Sequence, residues 1–317
     1  MQYSKIAFIF PGQGAQYKGM GKEFFNSFSV AKETFQEADE ILNRNLSKII
    51  FEGPEEVLTE TKNSQVGIFV TSVAILRVLN QIFPEFKPKF CAGLSLGEYT
   101  ALFSSGSLDF ASCLQLVQLR GQFMNDACES TQGTMAVVLG LDAEVVESAV
   151  QKLKFPDDLW VANFNCPGQV VISGTKKGIE IATLALKEKG AKRVMPLQVH
   201  GAFHSGLMEE AKKRLEPYIQ TASIVKGTRS LVMNVTGGLV DDVNEIKKNL
   251  VNQVTHPVRW EQGVRTLNDQ KVDLFVEIGC GKTLSAFNKR IGVFAPTINI
   301  EVPSDLDNAK GVIENVC

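Results

Sequence analysis

The chain is expected to be an α/β protein, and three observations carry that expectation. Short apolar runs of strand length alternate with longer segments whose apolar residues recur at helical spacing. The middle of the chain reads strand, helix, strand, strand, helix, strand, a βαββαβ module set inside a larger unit. A glycine-flanked serine, Ser95, falls between a strand-like run and a helix-like run.

In chain order, residues 5–10 read as a strand entering the turn Pro11-Gly-Gln-Gly14. Residues 31–42 and 65–79 read as helices; the second carries Val66, Phe69, Val70, Val73 and Leu76 at helical spacing. A short buried strand is expected at 90–94, a helix from Gly97, and another after Asp109, a candidate cap. The βαββαβ module then follows. Strand 133–141 leads to helix 142–153, with Asp142 as its cap. Strands 159–164 and 169–174 are joined by the turn sequence Asn165-Cys-Pro-Gly168. Helix 175–190 ends on glycine, and 191–199 is the last strand. Beyond it come helix 204–219, strand 230–235, helix 243–254, strand 274–279, helix 282–291 and strand 296–300. The expected division is a large domain of residues 1–127 and 200–317 and a small one of 128–199.

Composition removes several function classes. A chain of 317 residues has room for about two domains and a large core. With 44% hydrophobic and 21% charged residues it is globular rather than disordered. Lys plus Arg total 33 against 35 Asp plus Glu, a net charge of −2, which lacks the overall basicity of a dedicated nucleic-acid binder. None of the cysteines, Cys91, Cys113, Cys128, Cys166, Cys280 and Cys317, forms a C-x-x-C pair, so zinc ribbons and redox motifs have no support. The apolar run before Pro11 is too short for a signal-peptide core, and no stretch reaches the roughly 18 apolar residues of a membrane span. A cytoplasmic protein with reduced thiols, touching neither membrane nor nucleic acid, is expected.

The chemistry centres on Gly93-Leu94-Ser95-Leu96-Gly97. A G-x-S-x-G at a strand-to-helix junction is the nucleophile-elbow pattern, although a plain Gly/Ser turn also fits. A serine hydroxyl needs a base. The chain has three histidines, His200, His204 and His256, and the residues alone leave the choice open. His204 is favoured because it opens a helix beside the return from the small module. The His200/His204 spacing also suits a metal pair, but Gly201 weakens a helix there and no third ligand is apparent. Arg120 lies in a helix-like stretch, where its position alone suits a solvent-facing arginine.

Further motifs stand in order. They are Phe10-Pro-Gly-Gln-Gly-Ala-Gln16, the elbow with Glu98-Tyr99, Arg120-Gly121 with Met124, Asn165-Cys-Pro-Gly-Gln-Val-Val-Ile-Ser-Gly174, Gly201-Ala-Phe-His-Ser205, and Gln253 before His256-Pro-Val-Arg-Trp260. Together, from about residue 6 to 291, they resemble the malonyl-CoA:acyl carrier protein transacylases of fatty acid synthesis. The resemblance implies an α/β-hydrolase-like core with an inserted ferredoxin-like (βαββαβ) small domain. It implies malonyl transfer from malonyl-CoA to acyl carrier protein through an acyl-serine, with no cofactor and no metal, by a chain expected to be a monomer. By the same resemblance Ser95 is the nucleophile and His204 its base. The amides of Gln13 and Leu96 form the oxyanion hole, Arg120 holds the malonyl carboxylate, and the carbonyl of Gln253 orients His204. Leu94, Met124, Asn165 and Phe203 shape the pocket. Phe203 is expected to disfavour an α-methyl branch. Leu94 departs from the family, which usually has histidine there, and puts fine positioning of the substrate in doubt. Lys187, Lys189, Lys192 and Arg193 are candidate contacts for the acidic carrier protein or the coenzyme A phosphates, or else an ordinary solvated helix end.

Overall fold

The computed structural model describes residues 3–199 and 201–313. Its strands are β1 (Ile6–Phe10), β2 (Phe90–Gly93), β3 (Gly133–Leu139), β4 (Leu159–Cys166), β5 (Gln169–Thr175), β6 (Arg193–Pro196), β7 (Ser230–Met233), β8 (Gly238–Val240), β9 (Leu274–Ile278) and β10 (Thr297–Ile300). They form two sheets, one of order β10-β9-β1-β2-β7-β8 and one of order β4-β5-β3-β6.

The larger sheet is parallel except for the β7–β8 hairpin. Its central strands are buried on both faces, as parallel sheets covered by helices are. Ile6, Phe8 and Phe10 of β1 face one layer, which includes Val70 and Val73. Ala7 and Ile9 face the other, with Trp260, Val264 and Leu284. In register, Phe10 lies beside Gly93 and Phe8 beside Val276, so β1, β2 and β9 end together. The carboxyl ends of parallel strands are where α/β sheets build ligand sites. Here they deliver Gln13 after β1, Ser95 after β2 and Asn234 after β7.

The smaller sheet is antiparallel, and its elements follow the expected βαββαβ order. One face carries Ala136, Val138 and Ile172 against helices Ala143–Leu153 and Lys176–Glu188. The opposite face carries Met135, Val137 and Val171 toward the main core. Two backbone hydrogen bonds between β4 and the segment before Trp260 tie the sheets together: Phe164 N–H to the Val258 carbonyl and Val258 N–H to the Ala162 carbonyl, each 2.8 Å.

Several expectations need correction. Helix 204–219 begins only at Glu209, after a 3-10 turn over Gly206–Met208 capped by Ser205; His204 itself sits in a loop at φ 57°. The turn expected over 165–168 shrinks to Pro167-Gly168, because Cys166 pairs with Gln169 and extends β4. The last small-sheet strand covers only Arg193–Pro196. Asp109 and Thr175 cap their helices through their side chains, whereas Asp142 occupies the cap position without such a bond. Helix Phe110–Thr131 runs across the expected 127/128 boundary. Helices Lys22–Ser27, Leu46–Glu52, Glu55–Thr59, Trp260–Asp269 and Pro303–Ile313 and strand β8 add to the expected elements.

One helix bears on the expectation that no stretch reaches the apolar length of a membrane span. Helix Thr61–Ile82, 22 residues, is long and apolar enough to cross a membrane by length and composition. Most of it is buried inside the protein, packed against Ser29–Leu42 and Phe110–Thr131, as expected of a helix apolar on nearly all sides. The five described cysteines are buried and free, while Cys317 and His200 lie outside the described residues.

Candidate active site

Ser95 sits at φ 51°, a left-handed conformation that costs about 1–3 kcal/mol for a side-chain-bearing residue and persists only where its surroundings enforce it. The flanking glycines permit the bend. A Cβ on Gly93 would lie 1.9 Å from the carbonyl carbon of Gly97, and one on Gly97 would lie 2.2 Å from the Phe10 carbonyl oxygen. The Ser95 amide donates to Asn234 Oδ1 at 2.7 Å, and Asn234 Nδ2 donates to the Gly93 carbonyl at 2.7 Å. Helix Gly97–Ser105 starts directly behind, so its free amide end faces the hydroxyl.

The fold brings Ser95 Oγ within 2.8 Å of His204 Nε2, across 109 positions of sequence. His204 Nδ1 lies 2.8 Å from the main-chain carbonyl of Gln253. A carbonyl can only accept, so Nδ1 carries the proton and Nε2 is free to receive the serine proton. His204 is buried; burial, helped by the charge of Arg120, pushes its pKa down to about 4. The ring is therefore neutral at pH 7, as a base must be. His256 is exposed and bonded to Asn252, which removes it from the choice left open by the sequence.

Arg120 comes from the interior of helix Phe110–Thr131 and is 1% exposed, so the solvent-facing alternative is excluded. Its Nη1 donates to Gln65 Oε1 at 2.5 Å, and its Nη2 to Ser95 Oγ at 3.0 Å and Gln253 Oε1 at 2.9 Å. Among the described residues no carboxylate lies within ion-pair distance of it. A buried guanidinium without a counter-charge is costly and suited to an anion brought by a ligand.

A cleft of about 240 Å³ opens onto Ser95 and His204. Leu94, Met124, Asn165 and Phe203 all line it, together with Gln13. Leu96 is buried at the helix start rather than on the cleft wall. Asn165 Oδ1 is buried without a hydrogen-bond partner, leaving an acceptor for a ligand. Sequence reasoning missed Gln65, Glu98, Asn163 and Asn234. Glu98 carried the one available signal: a carboxylate in an otherwise uncharged helix immediately after the elbow. Among the described residues no group of three His, Cys, Asp or Glu side chains is placed to hold a metal ion.

A mixed α/β protein that gathers a strained serine, a neutral histidine and an unpaired arginine at the ends of its parallel strands is, by fold and site, of the acyltransferase class. The family model of the acyl transferase domain matches residues 7–290. The chain is 42% identical over 307 residues to the malonyl CoA-acyl carrier protein transacylase of Bacillus subtilis, covering 96% of each. It is similar to the structure of an acyl carrier protein S-malonyltransferase from Vibrio cholerae, with TM-score 0.92, 37% identity and coverage of 96% and 100%. It is equally similar to the transacylase in a complex described as a type II PKS acyl-carrier protein with its malonyl-transacylase: TM-score 0.93, 36% identity, coverage 98% and 100%. The chain belongs to the acyl transferase domain family and, within it, to the malonyl CoA-acyl carrier protein transacylases.

Proposed function

We propose that this protein moves a malonyl group from malonyl-CoA to the phosphopantetheine thiol of acyl carrier protein, in fatty acid synthesis, through a malonyl-Ser95 intermediate. The observation that carries the reading is Arg120: a buried guanidinium with no carboxylate within ion-pair distance among the described residues, 3.0 Å from the candidate nucleophile. Malonyl differs from ordinary acyl groups in its free carboxylate, and the arginine fork is the side chain that binds one.

In the first half-reaction Ser95 Oγ attacks the thioester carbonyl while His204 Nε2 takes its proton. The amides of Gln13 and Leu96 stabilise the oxyanion, each donor contributing a few kcal/mol. The tetrahedral intermediate collapses, the C–S bond breaks, and the proton on His204 passes to the coenzyme A thiolate. In the second half the pantetheine thiol gives its proton to His204 and attacks the acyl-serine, and Ser95 leaves reprotonated. The Gln253 carbonyl, rather than a carboxylate, holds the His204 ring in the required tautomer. Arg120 leaves Ser95 Oγ and Gln65 to take the carboxylate. Leu94, Met124, Asn165 and Phe203 bound the acyl pocket, and Leu94 leaves that wall without a hydrogen-bonding group. The cycle requires no metal or cofactor; coenzyme A enters as part of the substrate.

We also read the larger sheet and its helices as an α/β-hydrolase-like domain, and the smaller sheet with its two helices as a ferredoxin-like one inserted after helix Phe110–Thr131. The sheet order β4-β5-β3-β6 supports the second assignment. Lys187, Lys189, Lys192 and Arg193 are exposed on that module and suit an acidic carrier protein. The protein is proposed to work as a cytoplasmic monomer. Mass spectrometry after brief exposure to malonyl-CoA tests the reading. A malonyl adduct on Ser95, absent in Ser95→Ala and discharged by a thiol acceptor faster than by water, supports it. No adduct, or discharge to water at the same rate, overturns it.

A further inference from the structure

Glu98 is 1% exposed and has no place in the catalytic cycle above. Each of its oxygens has one partner. Oε1 accepts the main-chain N–H of Asn234 at 2.6 Å, and Oε2 accepts Gln253 Nε2 at 2.7 Å. Those two residues hold the two sides of the Ser95 backbone. Asn234 Oδ1 accepts the Ser95 N–H at 2.7 Å, and Gln253 Nε2 donates to the Ser95 carbonyl at 2.9 Å. We infer that Glu98 is a positioning residue for acyl transfer, its buried carboxylate anchoring the Asn234 main chain and the Gln253 side chain, the two residues that grip the left-handed backbone of Ser95.

The inference rests on Ser95 being the nucleophile, and it has a chemical consequence. A carboxylate only accepts, so it fixes the Gln253 amide with nitrogen toward Glu98 and oxygen toward Arg120 Nη2, 2.9 Å away. A proton on Glu98, or an amide in its place, sets a donor against Gln253 Nε2. The Gln253 amide then turns over. Its nitrogen faces the Arg120 guanidinium, and the Ser95 carbonyl loses its donor. Protonation of Glu98 is thereby felt at both the nucleophile and the carboxylate fork. The titratable and charged groups around it are Arg120, on the helix packed across it, and Tyr99, its buried neighbour. Burial raises the Glu98 pKa to about 7, against the lowering effect of the hydrogen bonds from Asn234 and Gln253 and the charge of Arg120. The switch therefore falls near neutrality, where His204, pushed down to about 4, stays neutral.

The test is the single-turnover rate of Ser95 malonylation, followed by quenched-flow mass spectrometry across about pH 5.5 to 8.5. Wild type is expected to slow as pH falls through about 7. Glu98→Gln is expected to be about 10- to 100-fold slower at the alkaline end and flat across the range. Asn234→Ala removes one arm but leaves the carboxylate, so it is expected to be slower yet to keep the acid limb. A Glu98→Gln protein that matches wild type in rate, or retains the limb, overturns the inference. If that variant does not fold, a wild-type profile without the limb, or an Asn234→Ala protein at full rate, overturns it equally. Failure of wild type to label Ser95 at all would instead remove the functional reading beneath it.

Discussion

Under the proposed mechanism, replacing Arg120 by alanine should separate recognition of the malonyl carboxylate from acyl transfer in general. The guanidinium presents Nη1 to Gln65 and Nη2 to Ser95 and Gln253, so one fork nitrogen already lies at the nucleophile. A hydrogen bond to a charged group contributes about 1.5–3 kcal/mol, so two lost from the bound malonyl carboxylate remove about 3–6 kcal/mol. At 1.36 kcal/mol per tenfold, kcat/KM for malonyl-CoA should fall about 10²- to 10⁴-fold. An acetyl group loses no carboxylate contact. It loses the donor to Ser95 Oγ and the partners of Gln253 Oε1 and Gln65 Oε1, groups that do not touch the acetyl carbonyl, about 1–2 kcal/mol or roughly tenfold. The assay is the initial rate of transfer from each thioester to a pantetheine thiol, separated chromatographically. Equal losses for both substrates refute the carboxylate fork. A second readout accompanies the first. Arg120 helps hold the His204 pKa down, so in a Glu98→Gln background its removal should move the acid limb of His204 upward.

Three further outcomes are expected. His204→Ala should slow Ser95 malonylation about 10²- to 10⁴-fold in the single-turnover assay, and in a Glu98→Gln background the remaining acid limb should lie near pH 4, because only the neutral ring accepts the serine proton. Phe203→Val should raise methylmalonyl transfer relative to malonyl by about tenfold in an acyl-CoA panel, since one methyl group is worth about 1–3 kcal/mol in a shaped pocket. Gly97→Ala should destabilise the fold by about 2–4 kcal/mol and lower its Tm in calorimetry, because the added Cβ meets the β1 backbone rather than a yielding side chain.

Much of the architecture was legible because it rests on local rules. Strand β1 and the helices flanking β3 to β6 announce themselves through apolar periodicity and through caps such as Asp109 and Thr175. Helix 204–219 was drawn too long because the apolar spacing continues smoothly through residues whose backbone is bent by the site. The extra helices, such as Leu46–Glu52 and Glu55–Thr59, are too short to show a periodicity of their own. The length of Thr61–Ile82 was underestimated because polar residues at its start, Asn63 and Ser64, interrupt the apolar pattern yet are buried.

For the site, the chain order alone marked Ser95 through its glycines, since a tight bend and close backbone approach demand them locally. It could not choose among three histidines, nor tell whether Arg120 faces water, because both depend on packing between helices distant in sequence. Tertiary structure put His204 on Ser95, buried Arg120 with no carboxylate within ion-pair distance among the described residues, and gave Glu98 its two partners. Local bends are encoded by neighbours in the chain; the electrostatics of a buried cluster exist only once distant segments have excluded water around it.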